Sequence, residues 1–95
     1  MNSKEKLQYL LEKYIKEKYD VNSFCEQFTV IYNLDTDYST LSTVENSLFK
    51  ELCEFTARYS PFEDDLAISN VYVNENQIRN KANDVYSKLM TDITN

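Results

Sequence analysis

Ser42-Thr43-Val44-Glu45-Asn46-Ser47-Leu48-Phe49-Lys50-Glu51-Leu52-Cys53-Glu54-Phe55-Thr56-Ala57-Arg58-Tyr59-Ser60-Pro61-Phe62-Glu63-Asp64-Asp65 is the stretch whose reading decides the fold. Val44, Leu48, Leu52, Phe55 and Tyr59 recur at steps of three or four, which places them along one side of a helix. Ser42 and Glu45 stand at capping-box spacing, the hydroxyl closing the first turn and the carboxylate reaching back to the cap. Pro61 ends the helix, because the residue before proline avoids helical angles and proline has no N–H to donate. The spacing therefore predicts a helix over 43–59 that runs directly into the acids Glu63, Asp64 and Asp65. A core element carries negative charge to the surface.

Upstream, residues 33–41 are polar and lose the periodicity, which reads as a loop. Ahead of it, Phe24, Phe28, Ile31 and Tyr32 share a helical face with Cys25 beside them, and Ser23 with Glu26 three residues on reads as the cap. Leu7, Leu10, Leu11, Tyr14 and Ile15 form the stripe of a first amphipathic helix over 3–18, its other side filled by Lys4, Lys6, Glu12, Lys13, Lys16 and Glu17. Downstream, residues 60–70 read as a second loop. Val71-Tyr72-Val73 alternates like a strand, but a single strand has no partner, so an extended lead-in is expected. Asn74 and Gln77 have box spacing at the start of a last helix, whose apolar side is Ile78, Ala82, Val85, Tyr86, Leu89 and Ile93. Four amphipathic helices with short connections imply an all-α fold, one domain over 1–95 arranged as an antiparallel four-helix bundle.

Composition removes whole classes of function. The 95 residues hold no glycine, histidine or tryptophan, and one proline. Without glycine there is no phosphate cradle or dinucleotide fingerprint; without histidine the usual general base and the commonest zinc ligand are missing. No catalytic residue, cofactor or metal is expected. No apolar run approaches the length of about 20 residues that a membrane span needs, and residues 1–6 lead into no apolar signal core. A cytoplasmic protein is expected. Cys25 and Cys53 lie far apart without C-x-x-C spacing, which reads as two buried free thiols, since a bridge needs an oxidising compartment.

Net charge is −6, and its distribution is uneven. Residues 1–19 carry net +2, residues 20–65 net −8, and residues 66–95 balance. Negative charge concentrated mid-chain argues against direct nucleic-acid binding and favours a basic partner. Asp35, Asp37 and Ser39 match the first three ligand positions of a calcium loop, but Thr40 stands where glycine is needed and Asn46 where a bidentate glutamate is needed. Asn46-Ser47-Leu48 lacks the aspartate of the Asp-Ser-Leu attachment motif of acyl carrier proteins. Both chemistries are set aside. Glu63-Asp64-Asp65 is either a solvated charge run or, with Asp35, Asp37, Glu51 and Glu54, a patch complementary to a basic protein. Tyr38, Tyr59 and Tyr72 lie in or beside the loops, as anchors of such a patch or as plugs at the ends of the bundle.

The order of these features resembles the bacterial immunity proteins that neutralise colicin D and related toxins. The likeness runs from about Leu7 to Met90. It rests on Phe24 and Phe28, Glu45-Asn46-Ser47-Leu48-Phe49, Arg58-Tyr59-Ser60-Pro61, the pair Asp64-Asp65, and Tyr72-Val73-Asn74-Glu75 leading into Ile78-Arg79. It implies an inhibitor that is a monomer before it binds a cognate basic nuclease toxin domain, usually one that cleaves tRNA. Carboxylates of the inhibitor would occupy the places of RNA phosphates in the substrate groove. Carried over residue by residue, contacts are expected from Glu45, Tyr59, Asp64 and Asp65, with Tyr72 beside them. Asp35, Asp37, Glu54 and Glu63 join them on charge alone. The first interhelical turn departs from the family in having no glycine. The alternative is a phage-encoded acidic inhibitor that mimics nucleic acid against a host nuclease.

Overall fold

Every long helix of this chain begins with a side chain that closes an otherwise unpaired backbone N–H three residues ahead, and these local bonds set the element boundaries. The computed structural model describes residues 2–68 and 71–94, with side chains as far as 91. The elements are α1 (Ser3–Ile15), α2 (Val21–Val30), α3 (Thr43–Ala57), the single turn α4 (Glu63–Leu66) and α5 (Glu75–Thr94). Among the described residues the fold is all-helical, one globule of 41 × 25 × 24 Å.

Asn2 caps α1, its Oδ1 accepting from Glu5 N–H at 2.8 Å. Leu7, Leu10, Leu11 and Tyr14 are buried along the expected stripe. The helix ends three residues earlier than expected. Lys18 N–H donates to Lys13 C=O and Glu17 N–H to Tyr14 C=O, the paired bonds of a Schellman turn. Glu17, at φ 62°, holds the left-handed position that glycine normally fills. The glycine-free turn thus folds at the cost of some backbone strain.

Asp20, not Ser23, caps α2, accepting from Ser23 N–H at 3.2 Å. The helix begins two residues before the expected cap and gains Val21 as a core residue. It also runs on beyond Val30 through a π-helical turn over Ile31–Asp35, so the loop starts later than expected. Thr36 Oγ1 closes that turn by donating to Ile31 C=O at 2.8 Å. A 3₁₀ turn over Tyr38–Thr40 leads into α3.

The capping box of α3 forms as the spacing predicts, with Glu45 N–H on Ser42 Oγ at 3.0 Å and Ser42 N–H on Glu45 Oε1 at 2.8 Å. Its buried face is wider than the predicted stripe. Leu48 and Leu52 are buried, but so are Phe49, Cys53 and Thr56, while Val44 is exposed and Phe55 and Tyr59 only half-buried. The reason is tertiary: α3 packs against α2 on one side and α5 on the other, so its apolar arc must serve two neighbours. Rings link three helices through this core, Tyr14 stacking on Phe24 at 4.3 Å, Phe24 meeting Phe28 at 5.5 Å and Phe28 meeting Phe49 at 6.0 Å. Across α2 and α3 the hydroxyls of Thr29 and Thr56 pair at 2.7 Å.

Asn74 and Gln77 make the reciprocal bonds of the α5 capping box, at 2.8 and 2.9 Å. Ile78, Ala82, Val85 and Leu89 are buried beneath it; the Ile93 side chain lies outside the described residues. Both cysteines are free and buried, and burial pushes the Cys25 thiol up to about 12.

Candidate partner-binding site

At the C-terminal end of α3 the chain turns sharply and is fastened to itself. Val73 N–H donates to Arg58 C=O at 2.9 Å and Ser60 N–H to Val73 C=O at 3.1 Å, a parallel bridge between Tyr59 and Val73. The run around Val73, expected to be unpaired, therefore has a partner. Ser60 is buried, and its hydroxyl does two things at once. It donates to Asp65 Oδ2 at 2.7 Å and accepts from Phe62 N–H at 3.2 Å. Pro61 fixes its own φ between these bonds. The predicted loop thereby becomes a held corner followed by the helical turn α4, whose first turn consists of Glu63, Asp64 and Asp65. Glu63 and Asp64 are exposed, and Asp65 is half-buried through its bond to Ser60.

Two carboxylates outside the predicted set belong to the same end of the molecule. Burial raises the Tyr59 phenol above its ordinary value, and the charges of Glu75 and Asp20 raise it further. Glu75 opens α5 and Asp20 caps α2, so helix starts deliver both acids to the surroundings of Tyr59. Ser23's hydroxyl and N–H hold the Asp20 carboxyl below the usual range, so it is charged at neutral pH. Glu17 stands nearby, 3.8 Å from Arg79, and Arg79 lies over the Tyr14 ring at 5.1 Å. Asp20 and Glu75 were hidden from the sequence because only the packing of three helices brings them together. Phe62, 66% exposed beside the acids, lies outside the predicted set although its place between Pro61 and three acids is plain in the sequence.

The remaining predicted residues lie elsewhere. Asp35 and Asp37 precede α3, and the Asp37 N–H donates to Ser3 Oγ at 3.4 Å, at the start of α1. A helix of 15 residues spans about 22 Å, and that length separates this pair from Glu63–Asp65. Ser39's hydroxyl and N–H occupy the Asp37 carboxylate and lower its pKa. Glu45 is 7% exposed, closing the α3 cap and pairing with Lys4 at 2.9 Å. Its carboxylate is committed to the fold. Glu51 lies 3.7 Å from Lys81, and Glu54 is exposed partway along α3. Tyr59 borders an open groove of about 400 Å³ between α2 and α3, whereas Tyr72 borders one of about 250 Å³ between α3 and α5. The two tyrosines therefore serve different surfaces. The structure joins Glu63, Asp64 and Asp65 with Phe62 in one held turn, and gathers Asp20 and Glu75 about Tyr59, the residue just before that turn's serine.

Chemically the turn offers two solvated carboxylates, Glu63 and Asp64, beside an exposed aromatic, with the third acid tied to Ser60. No group of side chains able to hold a metal ion occurs among the described residues. No described helix is long and apolar enough to cross a membrane. The chain matches no family model, no curated protein and no solved structure.

Proposed function

We propose that this protein is an immunity-type inhibitor, which binds one basic nuclease toxin domain and covers its substrate groove with the acidic end of the molecule. The observation that carries the proposal is the Ser60-held turn, in which a buried hydroxyl fastens Asp65 and leaves Glu63 and Asp64 exposed to solvent. A nuclease groove is basic because it neutralises phosphates, and a pre-organised polyanion meets it without the ordering cost that a flexible acidic loop would carry. On this reading the four long helices form an antiparallel bundle that serves as a stiff mount. The protein is cytoplasmic, monomeric until it meets the toxin, and acts without catalysis, cofactor or direct contact with nucleic acid. The resemblance to the colicin D immunity family points to a tRNA-cleaving toxin as the partner.

Co-expression with a panel of tRNA-cleaving and other nuclease toxin domains tests this. One member of the panel is expected to be neutralised, and reversal of the two exposed acids, Glu63→Lys with Asp64→Lys, is expected to abolish protection while leaving the helical spectrum intact. The complex should weaken by about 2–5 kcal/mol, with slower association that depends less on salt. Protection against no toxin, together with direct binding of RNA by the purified protein, would refute the proposal.

A further inference from the structure

The position that begins α4 breaks two local rules at once. A helix start is normally closed by Ser, Thr, Asp or Asn, yet α4 begins at Phe62, with extended backbone angles (φ −94°, ψ 129°) and no side-chain cap. A large aromatic is normally withdrawn from water, yet Phe62 is 66% exposed. Among the described residues no side chain supplies the missing cap. Its backbone is nevertheless held on both sides, its N–H donating to Ser60 Oγ at 3.2 Å and its C=O accepting from Leu66 N–H at 3.1 Å. Ile68 and Val71, on the same connection, are also about half exposed. Local rules broken together at a held position mark a residue kept for something outside the chain.

We infer that Phe62 is the anchor of the interface: its ring enters an apolar pocket on a basic protein partner, while Glu63, Asp64 and Asp65 meet cationic side chains around the pocket's edge. The inference rests on the acidic-surface reading above and adds to it the chemistry of the partner's centre. The division of labour follows from the geometry. Charges that stay solvated steer encounter, whereas a rigid aromatic with only two side-chain torsions resists departure once its pocket has shed water. A partner that is basic but flat would be held weakly.

Two peptides separate the parts: one of five Lys-Ser repeats, and the same peptide with its two central serines replaced by leucine. Binding to the intact protein is followed by calorimetry and by amide shifts in ¹⁵N-labelled material. The leucine-bearing peptide is expected to bind about tenfold more tightly or better, with shifts centred on Phe62 and α4. Phe62→Ser, which keeps the charge and supplies a capping hydroxyl, should erase that preference and leave the Lys-Ser peptide's affinity unchanged. Its melting temperature should stay level or rise. If both peptides bind equally, or the variant keeps the preference, Phe62 is no anchor and the acidic surface stands without it. If neither peptide binds, the anchor and the acidic-surface reading fall together. A melting temperature lowered by about 5 °C or more would make Phe62 a packing residue and overturn the inference.

Discussion

The two ends of α3 use the same chemical parts for opposite purposes. At the N-terminal end Ser42 and Glu45 bond reciprocally, and Lys4 completes the arrangement from α1. At the C-terminal end Ser60 bonds Asp65, five residues on, across Pro61, Phe62 and the two exposed acids. Both are serine–carboxylate contacts of 3.0 Å or less across a sharp change of chain direction. Yet Glu45 is enclosed and tied to Ser42 and Lys4, while beyond the Ser60 contact Glu63 and Asp64 stand in solvent. The difference lies in the neighbours. A lysine from α1 folds over the first end; nothing basic folds over α4 among the described residues. An acid in sequence becomes a fastening or a recognition group according to what packs on it.

The largest effect should strike both ends alike. Leu52 is fully buried midway along α3, and Leu52→Ala should cost about 2–5 kcal/mol in denaturant unfolding. Protection would then fall only through reduced abundance, so restoring the level of folded protein should restore it. A variant folded at normal levels that still failed to protect would show that the core shapes the acidic end directly. The double reversal at the exposed Glu63 and Asp64 should give the opposite pattern, with recognition lost and stability kept.

Glu45 breaks the comparison from the other side. Burial pushes its carboxyl up, but the Ser42 N–H and the Lys4 ammonium outweigh burial and leave it below the ordinary 4.5. A lowered folded value stabilises above the unfolded one and is lost as pH falls through the folded one. Glu45 thus supports the fold at pH 5 and above and ceases to do so in acid. Glu45→Gln should cost about 1–2 kcal/mol at pH 7 and flatten the acid limb of stability below about pH 4.5, with partner binding unchanged once folded. Loss of binding by a fully folded Glu45→Gln protein would return this residue to the contact surface that the family resemblance implies.

Legibility in the sequence followed the range of each interaction. The caps at Ser42 and Asn74 are contacts between residues three apart, and both form as their spacing predicts, as does the α1 stripe of Leu7, Leu10, Leu11 and Tyr14. The start of α2 departs from the Ser23–Glu26 spacing because the Asp20 carboxylate takes the Ser23 N–H, which draws Val21 and Asn22 into the first turn. The face of α3 was misjudged because a single stripe cannot show that two helices flank it, which is what buries Phe49 and Cys53. Acidic residues 20–65 looked like one patch, although the length of α3 alone implied that Asp35 and Asp37 stand far from Glu63–Asp65. The joining of Asp20 and Glu75 about Tyr59 needed the tertiary fold. Ser60 gave no signal of its role, since serine before proline is ordinary in loops.

The smallest effect concerns the turn after α1, and its sign is the informative part. Glu17 sits at φ 62° in a Schellman turn, a conformation that costs a residue with a Cβ about 1 kcal/mol and glycine nothing. Its compensation in the fold is slight, a 3.8 Å contact with Arg79 from a side chain 77% exposed, and such pairs are worth little in water. Glu17→Gly should therefore stabilise the protein by up to about 1 kcal/mol after the added freedom of the unfolded chain is subtracted, read as a rise of a few degrees in melting temperature. If the charge near Asp20 and Glu75 aids encounter with a basic partner, the same variant should associate more slowly at low salt and equally fast at high salt. A gain in stability with no change in association at any salt would confine recognition to α4 and Phe62, and leave the strained glutamate without a part in it.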